Sequence, residues 1–151
     1  MAAGSVIFYQ HALEDAWKGA LDLASMTLNV TLVSHGYTPN AKSHSVWTAG
    51  ADAAMPETYV VTSSGFAERT LVSSTVARTS GSYVTWDAND ITLSATATIK
   101  AKWCIVYKGS GNKRLIAYFD TETTQTTGVE VTQLVVQWNA LGIAQLNNPS
   151  A

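Results

Sequence analysis

The chain has 151 residues, of which 46% are hydrophobic and only 13% are charged, and its formal net charge is −2. Without a basic field, nucleic-acid binding is not expected, and no apolar run reaches the roughly 18 residues that a membrane span needs. The single cysteine, Cys104, excludes an internal disulfide and a four-cysteine zinc site. We therefore expect one domain over 1–151, with 1–7 and 147–151 as terminal arms.

The first predicted element is an amphipathic helix over residues 8–21, with Gly19 marking the start of its end. Its apolar residues recur at intervals of three and four and form one stripe: Leu13, Ala16, Trp17, Ala20 and Leu21. This stripe would place Trp17 in the core or at a subunit contact. A period-two pattern then predicts a half-buried strand over 28–32, followed by a loop that contains Gly36 and Pro39.

The middle of the chain carries weaker patterns. From 41 to 57 no period is clear, although 51–55 could form a short turn of helix before Pro56. Alternating residues predict short strands at 59–62, 71–79 and 83–86, with a tight connection at 80–82. Residues 87–90, with the sequence DAND, predict a turn because Asp and Asn bond their own backbone.

The longest alternating pattern covers residues 91–107, with the sequence ITLSATATIKAKWCIVY. Its length exceeds that of an ordinary strand, which is about five or six residues. We therefore predict two strands, 91–93 and 99–107, separated by a bend or bulge at 94–97. Because Trp103, Ile105 and Tyr107 keep phase with Ile99, the two strands should present one buried face across a corner.

The rest of the chain predicts a hairpin loop at 108–113, a strand at 115–120, a polar loop at 121–128 and a last strand at 129–138. In sum, the sequence predicts a mainly β fold. It would be an antiparallel β-sandwich or open barrel of about seven strands, with one N-terminal amphipathic helix.

No group of residues predicts catalysis, a metal site or a cofactor. His11, His35 and His44 lack the spacings of zinc ligands. Asp120 and Glu122 could in principle exchange protons as an acid–base pair, but we interpret them as solvated loop charges. Cys104 is interpreted as a small, half-buried hydrophobe. The N-terminus lacks the cationic segment of a secretory signal, so we expect the chain to be made in the host cytoplasm and to have no signal peptide.

Several segments, in this order, resemble a group of small virion structural proteins of tailed bacteriophages. They are LDL at 21–23, TLNVTLV at 27–33, GYTPN at 36–40 with His44, WDANDITLSA at 86–95, TIKAKW at 98–103, LIAYFD at 115–120 and VQWNALGI at 136–143. The likeness runs from about residue 11 to 143, and residues 45–70 depart from it.

The resemblance implies a non-enzymatic particle component found in the virion. A capsid decoration, or cement, protein is our first choice; it would bind the major capsid protein or other virion proteins, as a homotrimer. A tail, neck or baseplate component is the alternative. A carbohydrate-binding module on a host-facing fibre is a further alternative, and it would require Trp47 or Trp17 to be exposed.

Two loops are the predicted contact surfaces for a partner, 36–48 and 121–128. Within them we single out five residues: Tyr37, Trp47, Thr123, Gln125 and Thr127. Trp47 lies in the unpatterned region and is therefore the aromatic residue that we expect to be exposed.

Overall fold

The computed structural model describes residues 4–48, 55–61, 68–78, 83–139 and 142–147. Within these ranges the chain forms ten strands, one α-helix and one 3-10 helix. In chain order they are β1 (Ile7–Phe8), α1 (Gln10–Trp17), β2 (Leu28–Val33), the 3-10 helix (Pro56–Tyr59), β3 (Arg69–Thr70), β4 (Thr75–Arg78), β5 (Tyr83–Asp87), β6 (Ile91–Ala101), β7 (Trp103–Lys108), β8 (Leu115–Asp120), β9 (Val129–Val136) and β10 (Ala144–Asn147).

The strands form three sheets. A five-stranded sheet has the order β1-β8-β7-β2-β3, a three-stranded sheet has the order β10-β5-β4, and β6 pairs with β9. Every strand pairing in the described ranges is antiparallel. The predicted mainly β, antiparallel fold with one helix is confirmed, and the arrangement of the sheets is sandwich-like.

Both faces of the five-stranded sheet are covered. On one face, Leu28, Val30 and Leu32 of β2 join a core cluster that also contains residues of β5, β6 and β9. On the other face, Val33, Ile105 and Tyr107 pack against aromatic residues from outside the sheet. The strand predicted at 28–32 is present as β2, but the prediction that it is half-buried was wrong. Even Thr31, on the second face, is buried, because the loop after β2 folds back over that face.

The pattern at 91–107 is divided at a different place from the one predicted. Ile91–Ala101 is one strand, and its register against β9 shifts between Ser94 and Ile99, so the irregularity at 94–97 is a bulge within a strand. The strand ends at Ala101, and at Lys102 the chain passes from the β6–β9 pair into the five-stranded sheet. A bulge bends a strand without ending its pairing.

Because of this corner at Lys102, apolar residues of the 91–107 pattern belong to two different core clusters. Ile99 belongs to the cluster between the sheets. Ile105 and Tyr107 belong to the cluster on the opposite face of the five-stranded sheet, which we call its outer face. The prediction of one buried face was therefore wrong. The alternation of apolar residues continues through the corner. The residues before Lys102 pair with β9, however, and the residues after it belong to the five-stranded sheet.

Other boundaries differ from the predicted ones. The helix ends at Trp17, not at 21, because Gly19 takes a left-handed φ of 71° and the amide of Ala20 donates to the carbonyl of Asp15 at 2.8 Å, as in a Schellman motif. The 3-10 helix Pro56–Tyr59 includes the first residue of the predicted 59–62 strand, and Val60 makes only an isolated bridge to Val33.

The predicted strand 71–79 is shorter in the described residues. Only Thr75–Arg78 is a strand there, after Ser73 with a φ of 56°. The last long strand ends at Val136 rather than at 138. The predicted helical turn at 51–55 lies outside the described residues except for Met55, and the connection at 80–82 lies wholly outside them.

Candidate partner-contact surfaces

The polar loop at 121–128 is held from beneath by one lysine. Lys102 lies at the corner between β6 and β7, and its side chain is largely buried. Its Nζ forms an ion pair with Asp120 Oδ2 at 2.7 Å. The same Nζ donates to the carbonyl oxygens of Glu122 at 3.0 Å and Gln125 at 2.7 Å. One cation thus joins the end of β8 to two points of the loop's backbone.

Side chains of the loop complete this network. The Thr121 hydroxyl donates to the carbonyl of Ala101 at 2.6 Å. A Glu122 carboxylate oxygen accepts from both the amide and the hydroxyl of Thr124, at 3.2 and 2.8 Å. Because Asp120 and Glu122 are engaged in these bonds and Glu122 is buried, the interpretation of this pair as solvated loop charges was wrong.

The loop closes against the corner at Gly128. This residue has a φ of 77°, and a Cβ atom placed on it would lie 1.9 Å from the carbonyl oxygen of Ala101. A side chain is therefore excluded here by both conformation and space. The amide of Gly128 donates to the carbonyl of Gln125 at 3.2 Å, so the loop ends in a tight turn that lies directly on Ala101 and Lys102.

This arrangement leaves the predicted contact residues of the loop on the outside. The side chains of Thr123, Gln125 and Thr127 are exposed, as are those of Thr124 and Thr126. The surface they form is neutral, and it consists of hydroxyl and amide groups on a backbone that Lys102 and Gly128 hold in place. It can take part in hydrogen bonds to a partner, and it carries no group that would perform acid–base chemistry at neutral pH.

The loop at 36–48 has the opposite character, because its aromatic residues point inward. Tyr37 is buried, and its hydroxyl lies 3.0 Å from the Tyr9 hydroxyl and 2.8 Å from Nδ1 of His44. Its carbonyl accepts from Nε1 of Trp103 at 2.7 Å. Burial raises the pKa of Tyr37 to about 12. Burial, reinforced by Tyr37, also raises the pKa of Tyr9 above its usual value.

Trp47 is buried as well, with only 4% of its surface exposed. Its ring stacks on that of Tyr107 with centroids 4.2 Å apart and planes 6° from parallel. The backbone amide of Trp47 donates to the carbonyl of Lys113 at 2.8 Å, which fixes this part of the loop to the hairpin between β7 and β8. The expectation that Trp47 is exposed was therefore wrong, and neither Tyr37 nor Trp47 offers a side-chain surface to a partner.

A third surface, beside helix α1, was missed by sequence reasoning. The helix packs on β8 through Ala12, and Asp15 pairs with Nε of Arg114 at 2.8 Å. This orientation turns the predicted apolar stripe away from β8. Leu13 and Ala16 are exposed, and Trp17 is 87% exposed. Of the two placements predicted for Trp17, the core is therefore wrong, and the subunit contact stays a prediction. The helical period identified the apolar face, but nothing in the sequence indicated that this face stays uncovered.

An apolar groove of about 770 Å³ runs alongside this stripe. Its floor and walls are formed by Phe8, Leu23, Val84, Trp86 and Ile143, and Trp17 and Val76 stand at its rim. Trp86 is held in the wall by a bond from its Nε1 to the hydroxyl of Ser74 at 2.9 Å. None of the thirteen described residues that line the groove is ionisable, so it suits an uncharged occupant.

In the part of the chain that is described, no group of three or more His, Cys, Asp or Glu side chains is placed to hold a metal ion. His44 contacts Tyr37, and His11 lies 3.8 Å from Glu14. Cys104 is fully rather than half buried, and its burial raises the pKa of the thiol above its usual value.

Comparison of the chain with protein-family models, with curated proteins and with solved structures found no match in any of the three. The resemblance to phage virion proteins therefore stays a prediction from the segments quoted above. Among the described residues, no helix is both long enough and apolar enough to cross a membrane.

Proposed function

We propose that this chain is a non-enzymatic structural protein of a tailed bacteriophage virion, and that it acts as a decoration protein that binds the capsid from outside. The observation that carries the proposal is the polar loop at 121–128, a neutral contact surface on a backbone held by Lys102. The resemblance of its segments to small virion proteins supplies the biological setting.

The construction of the loop suits binding to a protein surface. A loop that is already ordered loses less conformational entropy on association than a mobile one, so more of its contact energy is available as affinity. The corner residues Lys102 and Gly128 supply that order. A neutral surface also avoids the cost of burying unpaired charges in an interface.

Repetition would raise the strength of binding on a particle. Each contact through Thr123, Gln125 and Thr127 involves neutral hydrogen bonds, which contribute about 1 kcal/mol each on average. When copies of the chain are linked in a homotrimer, the first contact raises the effective concentration for the second and third. Modest single contacts can therefore give stable attachment to the major capsid protein.

The proposal can be tested with purified expanded heads of the phage that encodes the chain. We expect the wild-type protein to co-sediment with the heads and to raise their resistance to heat. The variant T123A/Q125A/T127A should bind at least about tenfold more weakly, since it loses three polar contacts. The matched control is T92A/T132A/Q133A, which removes the same group types from exposed positions of the β6–β9 pair and should bind like the wild type.

Wild-type protein that does not bind heads at micromolar concentration would overturn the decoration role. Electron microscopy of virions with the chain labelled would then assign it to the tail, the neck or the baseplate, or would remove it from the particle altogether. If T123A/Q125A/T127A and its control T92A/T132A/Q133A bind the heads equally well, the loop at 121–128 is not the contact surface. The decoration role would remain intact.

A carbohydrate-binding role is the second candidate, because Trp17 is exposed beside a groove. Sugars stack on exposed aromatic rings, and Trp17 meets the exposure requirement that Trp47 fails. A glycan array probed with wild-type protein and with Trp17→Ala tests this role: binding that requires Trp17 supports it, and an array without binding removes it.

A further inference from the structure

The apolar groove beside α1 and the exposed Trp17 are two parts of one surface. Trp17 is the most exposed of the large hydrophobic residues described, and Leu13 and Val76, which also line the groove, are 38% and 45% exposed. Of the stripe that the helical period marks as apolar, Leu13, Ala16, Trp17 and Ala20 are exposed to solvent, while Leu21 at its end is buried in the core. Exposed apolar patches of this kind usually mark a site of interaction with another macromolecule.

We propose that this surface binds a second copy of the same chain, with Trp17 of each copy inserted into the groove of its neighbour. The proposal does not rest on a virion role, because the contact involves only this protein. It assigns the groove an occupant that the chain itself supplies.

The first argument is complementarity. The exposed indole of Trp17 and the apolar groove lie side by side on one surface. Insertion of the indole into a neighbour's groove would therefore remove both apolar surfaces from water. If two copies each insert Trp17 into the other's groove, a two-fold pair forms. If each copy inserts Trp17 into the groove of the next, three copies can close a ring. In either assembly every Trp17 is covered and every groove is filled.

The second argument is the area available. A buried tryptophan removes about 150–250 Å² of its own surface from water, and the groove it fills loses a similar area. Each copy would thus bury roughly 400 Å² through this contact alone, about half of the roughly 800 Å² per partner in a stable interface. The adjoining strand β4 can supply the rest, since Thr75–Arg78 is exposed throughout and forms an edge of its sheet.

The third argument is charge. The groove lining is uncharged, so insertion of an indole leaves no ionised group without water inside the contact. The nearest charged residues on the helix already have partners: Glu14 bonds to Lys18, and Asp15 pairs with Arg114. A charged segment of another protein would find no complementary group in the groove, whereas the tryptophan of a second copy needs none.

The test is the mass of the purified full chain in solution, measured by light scattering after size exclusion. We expect the wild type to be a dimer or trimer of the 16.1 kDa chain. Trp17→Ala removes the inserted side chain, and Val76→Glu places a charge at the groove. Each should raise the dissociation constant at least about 30-fold, which corresponds to the 2 kcal/mol that defines an interface hot spot.

Two controls keep the test specific. Val72→Glu makes the same change as Val76→Glu at a residue that is 56% exposed and does not line the groove, and it should associate like the wild type. Circular dichroism and the unfolding midpoint of each variant check that it is folded. Mixing the two variants should give a mixed pair held by one of the two contacts and therefore weaker than the wild-type pair, because Trp17→Ala keeps Val76 and the groove floor while Val76→Glu keeps the tryptophan.

The inference is overturned if the wild type stays a single chain at high micromolar concentration, or if it associates equally well with both substitutions. Trp17-dependent binding on the glycan array by a single-chain protein would assign the groove region to a sugar instead. Binding to heads is measured separately, so this contact and the decoration role can fail independently of each other.

Discussion

The loops at 36–48 and 121–128 share turn-forming residues and low charge, yet they end in opposite states. The first loop lies over the outer face of the five-stranded sheet and buries Tyr37 and Trp47 there. The second loop lies at the corner of β6 and β7 and keeps Thr123, Gln125 and Thr127 exposed. The comparison teaches that a loop rich in aromatic residues tends to complete a core, while a loop rich in threonine stays at the surface even when its backbone is firmly held.

The largest effect that would test this contrast is expected at Trp47. Trp47→Ala removes a buried, stacked ring and should lower the free energy of unfolding by about 3–5 kcal/mol. Urea unfolding at neutral pH measures the loss. Trp17→Ala, studied at a concentration where the chain is single, is the matched control and should change the free energy by about 0.5 kcal/mol or less. Similar losses for the two variants would contradict the assigned burial of Trp47.

The second prediction concerns the lysine beneath the 121–128 loop. Lys102→Met removes the ion-pair partner of the half-buried Asp120 and the bonds to the Glu122 and Gln125 carbonyls. It should lower the free energy of unfolding by about 2–3 kcal/mol, which is less than the loss expected when one partner of a fully buried pair is removed. Lys100→Met breaks the exposed pair of Lys100 and Glu130 and should cost about 0.5 kcal/mol or less.

Hydrogen exchange locates the effect of the lysine substitution. The amides of Gln125 and Gly128 donate to carbonyls within the loop. They should exchange faster in Lys102→Met than in Lys100→Met, because only the first variant frees the loop's backbone. Unchanged exchange at these two amides would show that Lys102 does not order the loop.

The third prediction uses pH and concerns the buried 36–48 loop. An unfolded tyrosine ionises near pH 10, whereas burial raises the pKa of Tyr37 to about 12. The folded state therefore binds this proton more tightly than the unfolded state. Its contribution to stability is complete below about pH 10 and is lost as the pH rises towards 12.

Unfolding experiments between pH 9 and 12, followed by phenolate absorbance, should show this loss of stability. Tyr37→Phe should fall less steeply over the same range, although Tyr9, whose pKa is also raised, keeps part of the slope. If Tyr37→Phe and the wild type lose stability in parallel, Tyr37 is not the group responsible.

The smallest effect is expected in the exposed part of the second loop. The T123A/Q125A/T127A variant should change the free energy of unfolding by about 0.5 kcal/mol or less, because these side chains are exposed and the backbone bonds beneath them are retained. The same urea experiment measures it. A loss of 2 kcal/mol would mean that these side chains hold the loop together and are not simply presented by it.

The sequence predicted the strands better than their surroundings. Alternation located β2, β8 and β9 to within a few residues, because each strand places successive side chains on opposite faces, but it did not show that β6 ends and β7 begins at Lys102. The exposure of Thr123, Gln125 and Thr127 followed from the same local reasoning. The end of the helix at Trp17 was only partly foreseen, since Gly19 indicated an end but not its position.

The contacts that decide the candidate surfaces could not be read locally. Trp47 and Tyr107 are sixty positions apart in the sequence and stack face to face. Lys102 reaches across more than twenty positions to the Gln125 carbonyl. No period or motif encodes such pairs, since they depend on which segments the folded sheet brings together.

The amino-acid sequence by itself determined where the chain extends, where it turns and which side chains alternate along each strand, because those properties arise between neighbouring residues. Only the tertiary structure decided what lies opposite each face. It turned the pattern at Lys102 from one core to the other, covered Trp47 and left Trp17 in solvent. Burial is a relation between distant segments, and the period of one segment cannot specify what covers it.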